Sequence, residues 1–501
     1  MLRVLGSQRR ACDGVSRRDL LQVGGCSLLG LGASDLFRAD ATRGQLAAFD
    51  RGAGFGQAKA CIILYLYGAP SQLETYDPKP DAPIEIRGDF GSIDTKIPGL
   101  RVCEHLPKVA GMVDRCTVIR SMSHPYNIHS AAYALTGVPH VDVPMELNPH
   151  DTRHWPYIGS VLEYLENRER GPSATTDVPR NMALPFPFSS RSKEFTRGGP
   201  YGGFLGPSYD PVWTEFDGTP TKNIPRWRGA SDQIVPEPYA GIADGGRFMI
   251  STASQLPTDV TLDRLADRRS LLEQFDSARR ELGDSPAVQA RDRFREMAFG
   301  LIGSDRVRTA LDIRRESATL REAYGMNLFG QATLAARRMV EAGCRLVTVF
   351  WDEVGTANSA WDTHFDHYDR LKQELLPGLD SAFSTLVTDL ESRGMLDSTL
   401  VACISEHGRT PRLENARGGG RGHWSRAYGG MFAGGGVQRG KVIGKTDKEA
   451  GTVVDHPVTP KDILSTIYHQ VGVDHESMIQ DRLGRPLPLV ADGHVVRDML
   501  I

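Results

Sequence analysis

Four short stretches of this chain are almost wholly apolar, and they constrain its fold more than any other feature. They are Cys61-Ile62-Ile63-Leu64-Tyr65-Leu66-Tyr67, Cys116-Thr117-Val118-Ile119-Arg120, Arg345-Leu346-Val347-Thr348-Val349-Phe350-Trp351 and Thr399-Leu400-Val401-Ala402-Cys403-Ile404-Ser405. A strand with one wet face alternates apolar and polar residues, whereas a strand covered on both faces does not. These runs therefore predict mostly parallel strands lying between helices. The segments between them carry helical patterns. From Phe365 to Leu390 apolar residues recur three or four apart, with Pro377 as an expected kink and Gly394 as a stop. A second helix is expected near 329–342. A third starts at Thr459, with Thr459 as N-cap, Pro460 in the first turn and Asp462 in the third position. Strands alternating with helices give an α/β sheet.

Composition bounds what such a sheet can do. The chain has 501 residues, 40% hydrophobic and 24% charged, enough for a large core. A formal net charge of −3 gives no global attraction for nucleic acid or a membrane surface. The seven cysteines include no C-x-x-C pair, which argues against a zinc ribbon or thioredoxin-like site. Cys103 and Cys116 are a candidate disulfide pair in an oxidising compartment.

The N-terminus looks like an export signal. Ser16-Arg17-Arg18-Asp19-Leu20-Leu21 has the form of a twin-arginine motif, and an uncharged stretch from Leu20 to Ser34 follows. That stretch is too short for a stable membrane span. Ala39-Asp40-Ala41 offers a small-residue cleavage site. Residues 1–41 are thus expected to direct export by the twin-arginine route, to the periplasm or beyond. Residues 42–501 are expected to form one domain, with 150–325 as an insertion or cap. Residues 185–245 are rich in Pro, Gly and aromatics, and residues 258–325 are charged and helical.

In open α/β sheets, ligands bind outside the carboxyl ends of the strands. Ser71, Glu74 and Asp77 follow the first run, and Ser121, Ser123, His124, Asn127 and His129 the second. Asp352, Glu353, Asp362 and His364 follow the third, and Glu406, His407, Arg409 and His423 the fourth. Imidazole nitrogen and carboxylate oxygen suit zinc, manganese or iron. Asp362 and His364 lie two apart in a loop, so both can turn to one ion. Glu406 and His407 are adjacent at a strand end, where neighbours can diverge onto two ions. His423 lies in a Gly-rich loop. Arg409 offers a planar fork for an anionic oxygen. The candidate metal ligands are therefore Asp362, His364, Glu406, His407 and His423, with His367, His129 and His124 secondary. The expected cofactor is one or two divalent ions, zinc or manganese foremost. Each residue also has a plainer reading: Asp362 as a helix N-cap, Glu406 as a salt-bridge partner of Arg409.

At these residues the chain resembles an exported bacterial family, domain of unknown function 1501. The resemblance rests on Gly68-Ala69-Pro70-Ser71-Gln72, Tyr76-Asp77-Pro78-Lys79-Pro80, His129-Ser130-Ala131-Ala132, Leu135-Thr136-Gly137, Trp361-Asp362-Thr363-His364, Leu375-Leu376-Pro377, Glu406-His407-Gly408-Arg409-Thr410-Pro411, His423-Trp424, Gly434-Gly435-Gly436 and Gly484-Arg485-Pro486. That family looks like a distant branch of the alkaline phosphatase and sulfatase superfamily. The resemblance implies a central, mostly parallel sheet with helices on both faces, divalent metal at the strand ends, and hydrolysis of phosphate or sulfate esters. The ester would belong to a small molecule or polysaccharide. The sequence departs from the sulfatase pattern where a Cys or Ser nucleophile is expected: Asn127 stands there, with Ala131 in place of an Arg. The Asp expected directly after the first strand is also missing. Ser71, Ser121 or Ser123 would have to substitute as nucleophile, or water would attack directly. The alternative is a non-catalytic binding or cell-envelope module. A Ser-His-Asp hydrolase is disfavoured, because no G-x-S-x-G elbow follows a strand.

Overall fold

Strand β1, Ala60–Leu66, is buried at every residue and lies near the middle of an eight-stranded sheet. The computed structural model describes residues 52–138, 143–170, 177–227, 232–250, 304–355, 359–481 and 483–501. The expected export signal and most of the expected charged helical segment lie outside them.

The sheet's other strands are β2 (Cys116–Met122), β3 (Asn181–Leu184), β4 (Val212–Trp213), β5 (Leu346–Trp351), β6 (Thr399–Ile404), β7 (Tyr428–Ala433) and β8 (Lys441–Ile443). Their spatial order is β8-β2-β7-β6-β1-β5-β3-β4. β1 runs parallel to both β5 and β6, and β5–β3, β3–β4 and β8–β2 are also parallel. Only β7 is reversed, pairing antiparallel with β6 and with β2. All four apolar runs thus become strands within one or two residues of their expected ends. Each fully buried Val, Leu or Ile there contributes about 1.5–3 kcal/mol.

Helix α1, Ala131–Thr136, is capped by Ser130, whose side chain accepts from the Tyr133 N–H. α2 spans Ile158–Arg170 and packs on β3; α3 spans Leu328–Glu341 and packs on β5 and β1. The expected kink at Pro377 takes a specific form. Leu371–Leu375 is a π-helical turn, and α4 (Leu376–Ser392) begins anew with Pro377 in its first turn. Proline lacks an N–H and its ring clashes with the carbonyl four residues back, so the widened turn absorbs the mismatch. Gly394 follows the helix end at φ 67°, and the Met395 N–H donates to the Leu390 carbonyl. α5, Pro460–Gln470, carries a full capping box between Thr459 and Asp462. Among the described residues, no helix is long and apolar enough to cross a membrane.

Within 150–325 the described residues form α2, short strands and one-turn helices, closed by helices at Asp305–Leu311 and Ala318–Tyr324. Cys103 and Cys116 correct an expectation: both are buried free thiols, as are Cys61, Cys344 and Cys403.

Candidate metal centre

The loops after β2, β5 and β6 bring four histidines and two carboxylates together. Ligand atoms of His129, Asp362, His364 and His423 all lie within 4.8 Å of one another, and so do those of His129, Glu406 and His407. His129 belongs to both groups. Its Nδ1 donates to Glu406 Oε1 at 2.7 Å, and its Nε2 lies 3.2 Å from Asp362 Oδ1. Across the first group, His364 Nε2 is 3.0 Å from both Asp362 Oδ1 and His423 Nε2, and His423 Nε2 is 3.6 Å from Asp362 Oδ1.

Local sequence makes this convergence sterically feasible. Gly68, which ends the turn after β1, has φ 98°, and a Cβ there would fall 2.3 Å from the Asp362 nitrogen. Its bare backbone lets the Trp361-Asp362 loop pass over β1, and its N–H donates to Glu406 Oε1 at 2.7 Å. Gly420 does the same beside His364, where a Cβ would meet the His364 carbonyl oxygen at 2.0 Å. Gly408–Arg409 pairs antiparallel with His423–Trp424, setting His423 opposite Arg409. His129 directly precedes the N-cap of α1, and His124 Nε2 donates to the Glu406 carbonyl at 2.7 Å.

The hydrogen bonds and burial of the cluster leave donor atoms suited to a cation. His407 Nδ1–H donates to the Gly408 carbonyl at 2.7 Å, which leaves Nε2 with its lone pair. That Nε2 is buried and has no hydrogen-bond partner. Burial, and then the charges of His129, Arg409 and His423, push the His407 pKa well below the usual imidazole range. His423 is lowered as well, chiefly by burial. His129 Nε2 faces the Asp362 carboxylate, whereas Glu406 Oε2, like His407 Nε2, is buried with no hydrogen-bond partner. Such orphaned atoms each cost about 1–3 kcal/mol. In the cluster as it stands His129 acts as the counter-ion. Burial alone would lower its pKa, but Asp362 and Glu406 outweigh that and hold it at about 9. Burial would raise the Asp362 carboxyl; Arg409 and His129 instead hold it well below the carboxylate range. The donor set, imidazole plus carboxylate with inward lone pairs, fits zinc, manganese or iron.

All five residues expected as metal ligands lie in these two groups. Arg409 occupies a different position from the expected one. It is fully buried, 2.5 Å from Asp362 Oδ1, with Nε donating to Ala69 O and the remaining fork directed to the carbonyls of Gly68, Arg421 and Trp361. Its donors are thus taken up by Asp362 and the main chain, and no Glu406–Arg409 pair forms. Ser71 is buried with an unpartnered hydroxyl, and half-buried Ser123 donates its N–H to Val458 O. Neither serine belongs to the ligand groups. Asn127 is exposed, and its Nδ2 donates to the His423 carbonyl at 3.0 Å. His367 packs away from the cluster, with Nδ1 2.7 Å from Thr363 Oγ1 and Nε2 3.4 Å from Glu74 Oε2. Asp77 pairs with Lys79 and Arg120.

The family model described as protein of unknown function (DUF1501) matches residues 58–500. The chain belongs to the DUF1501 family. No curated protein matches it. Solved structures similar to this DUF1501 chain include the PsFucS1 sulfatase from Pseudoalteromonas sp., at 12% identity and TM-score 0.38, covering 88% of this chain and 72% of that one. Another is the phosphonate monoester hydrolase SpPMH from Silicibacter pomeroyi, at 12% identity and TM-score 0.33, covering 88% and 76%. A third is Ps i-CgsB in complex with k-i-k-neocarrahexaose, at 13% identity and TM-score 0.36, covering 83% and 73%. Likenesses at this level transfer neither an activity nor a substrate to this chain.

Proposed function

We propose that this DUF1501 protein is an exported, metal-dependent hydrolase of phosphate or sulfate esters. The observation that carries the reading is the pair of ligand groups joined through His129, with buried and unpartnered His407 Nε2 and Glu406 Oε2 directed into it. Asp362, His364 and His423 would hold one divalent ion and Glu406 and His407 a second, with His129 available to either. Such an ion, when bound, supplies Lewis acidity and lowers the pKa of water toward neutrality.

The chain's own residues do the rest. Arg409 and the Gly68 N–H fix Asp362 and Glu406 from behind. The His407–Gly408 bond fixes the ligand tautomer. His364 and His423, partly exposed, form the open side on which an ester can enter. With Ser71 and Ser123 outside both groups, water is the nucleophile this geometry favours. That same placement is the observation behind a second reading, a metal-holding binding module without catalysis.

The test is a screen of aryl phosphates, phosphonates and sulfates with zinc-, manganese- and iron-loaded protein, beside a His407→Ala variant. Hydrolysis that depends on added metal and falls at least about hundredfold in the variant supports the hydrolase. Metal uptake without turnover of any ester selects the binding module.

A further inference from the structure

With Arg409 turned to the main chain, the cluster needs another group to recognise an anion, and one stands beside it. Arg197 lies in the loop between Phe188 and Tyr201, in the region expected to form a cap. Its N–H donates to Ser189 Oγ at 2.8 Å. Its guanidinium carbon sits 5.7 Å from the centre of the Tyr67 ring, and Nη1 donates to Glu146 Oε1 at 3.2 Å. The Tyr67 ring in turn lies 5.6 Å from the His129 ring. Tyr67 follows β1 directly, next to the Gly68 that holds Glu406.

The side chain of Arg197 is 14% exposed, and its Nε is buried with no acceptor, a feature it shares with Arg226 and Arg337. Those two are each paired with two or more carboxylates inside the fold, whereas Arg197 is paired with Glu146 beside the cluster. A guanidinium fixed by one carboxylate and two rings, Tyr67 and Phe195, with a donor left over, is half of a recognition site. Its charge is secure: burial would lower it, but Tyr67, Glu353, Glu146 and Asp362 together keep it cationic.

We infer that Arg197, held over Tyr67 by Glu146, is the anion-recognising residue of this centre, and that its ligand is a tetrahedral oxyanion, the phosphate or sulfate group of an ester. The inference rests on the metal-centre reading above. Arginine's planar fork matches two oxygens of such a group, which a lysine cannot do. Glu146 holds the fork while no anion is bound and competes with it when one arrives. The connection between β3 and β4 thus supplies substrate recognition to a centre whose ligands come from the loops after β2, β5 and β6.

Calorimetric titration of metal-loaded protein with inorganic phosphate and, separately, with sulfate tests this, with metal content and thermal midpoint measured on every sample. Arg197→Met is expected to keep its metal and fold while binding the oxyanion at least about tenfold more weakly, with Arg197→Lys in between. Glu146→Gln, which removes the competing carboxylate, is expected to bind the oxyanion more tightly, and that gain should shrink in the Glu146→Gln/Arg197→Met double variant, which a merely structural Arg197 would not produce. Whichever of phosphate or sulfate binds identifies the ester class. Metal-loaded wild type that binds neither anion, or variants with unchanged metal and unchanged affinity, overturns the inference and leaves the metal centre standing. Wild type that takes up no metal fails the metal-centre reading instead. Titration of that metal-free protein then decides the inference alone: binding lost in Arg197→Met upholds it, and no binding overturns it.

Discussion

The two halves of the cluster share one histidine and differ in almost everything else. His129, Glu406 and His407 are buried, held by the Gly68 N–H, the Gly408 carbonyl, the His124 imidazole and each other. His364 and His423 keep 31% and 26% of their side chains exposed, and only Asp362 in their group has a charged brace, Arg409. The difference teaches where rigidity and access reside. On the proposed reading, the buried trio would hold its ion tightly, and the half-open group would exchange one of its positions for a substrate.

Removing the shared residue breaks both halves at once. His129→Ala is expected to weaken metal binding in both groups by more than about hundredfold, read by competition titration with a chelator. The two halves come apart in the next pair of variants. His407→Ala should lose the buried ion and keep the half-open one, and His364→Ala should do the reverse, each seen as one equivalent fewer by elemental analysis. If both variants lose all metal, the halves are one site.

Arg409→Met attacks the half-open group from behind, leaving Asp362 buried without its guanidinium. Urea unfolding of metal-free protein should show a loss of about 3–5 kcal/mol. Asp352 and Asp362 sharpen the same point, because both are buried beyond the end of β5 yet shift in opposite directions. Asp362, with Arg409 and His129 beside it, is held low; Asp352, with only the N–H groups of Ser189 and Glu353 on its oxygens, is raised by burial to about 8. Between about pH 4 and pH 8 the folded protein therefore binds a proton at Asp352 that the unfolded chain has released, so stability falls as pH rises. Asp352→Asn should flatten that slope, by at most about 1.4 kcal/mol per pH unit in unfolding experiments between pH 5 and 8. The smallest effect is expected at exposed Asn127. Asn127→Ala removes one hydrogen bond to the His423 carbonyl, about 1 kcal/mol. It should weaken the half-open ion a few-fold and leave the buried one alone.

How much of this was legible in the sequence differs by element. β1, β2, β5 and β6 declare themselves because strands buried on both faces leave a local apolar signature. The cap of α5 and the break at Pro377 are equally local. β7 hides because Gly429 and Gly430 interrupt its apolar pattern, and its reversed direction depends on partners far along the chain. The five expected ligands stand in short motifs, so each could be proposed singly. His129 could not be ranked among them, since its place depends on a contact to Glu406 across 277 residues. Its signal was present but faint: a histidine directly before a helix N-cap, after a strand. Arg197 and Glu146 gave none, because they lie in loop-rich sequence without periodicity. The position of Arg409 was also beyond spacing alone, since the same fork that suits an anion also suits main-chain carbonyls.

The central claim is that the cluster around His129 is a metal centre. Elemental analysis of the purified chain from Thr42 onward, after loading with zinc, manganese or iron and gel filtration, tests it most directly beside His129→Ala. The account predicts one to two equivalents of metal in the wild type and little in the folded variant. A folded wild type that retains no metal, or a folded variant that retains as much as wild type, would contradict it.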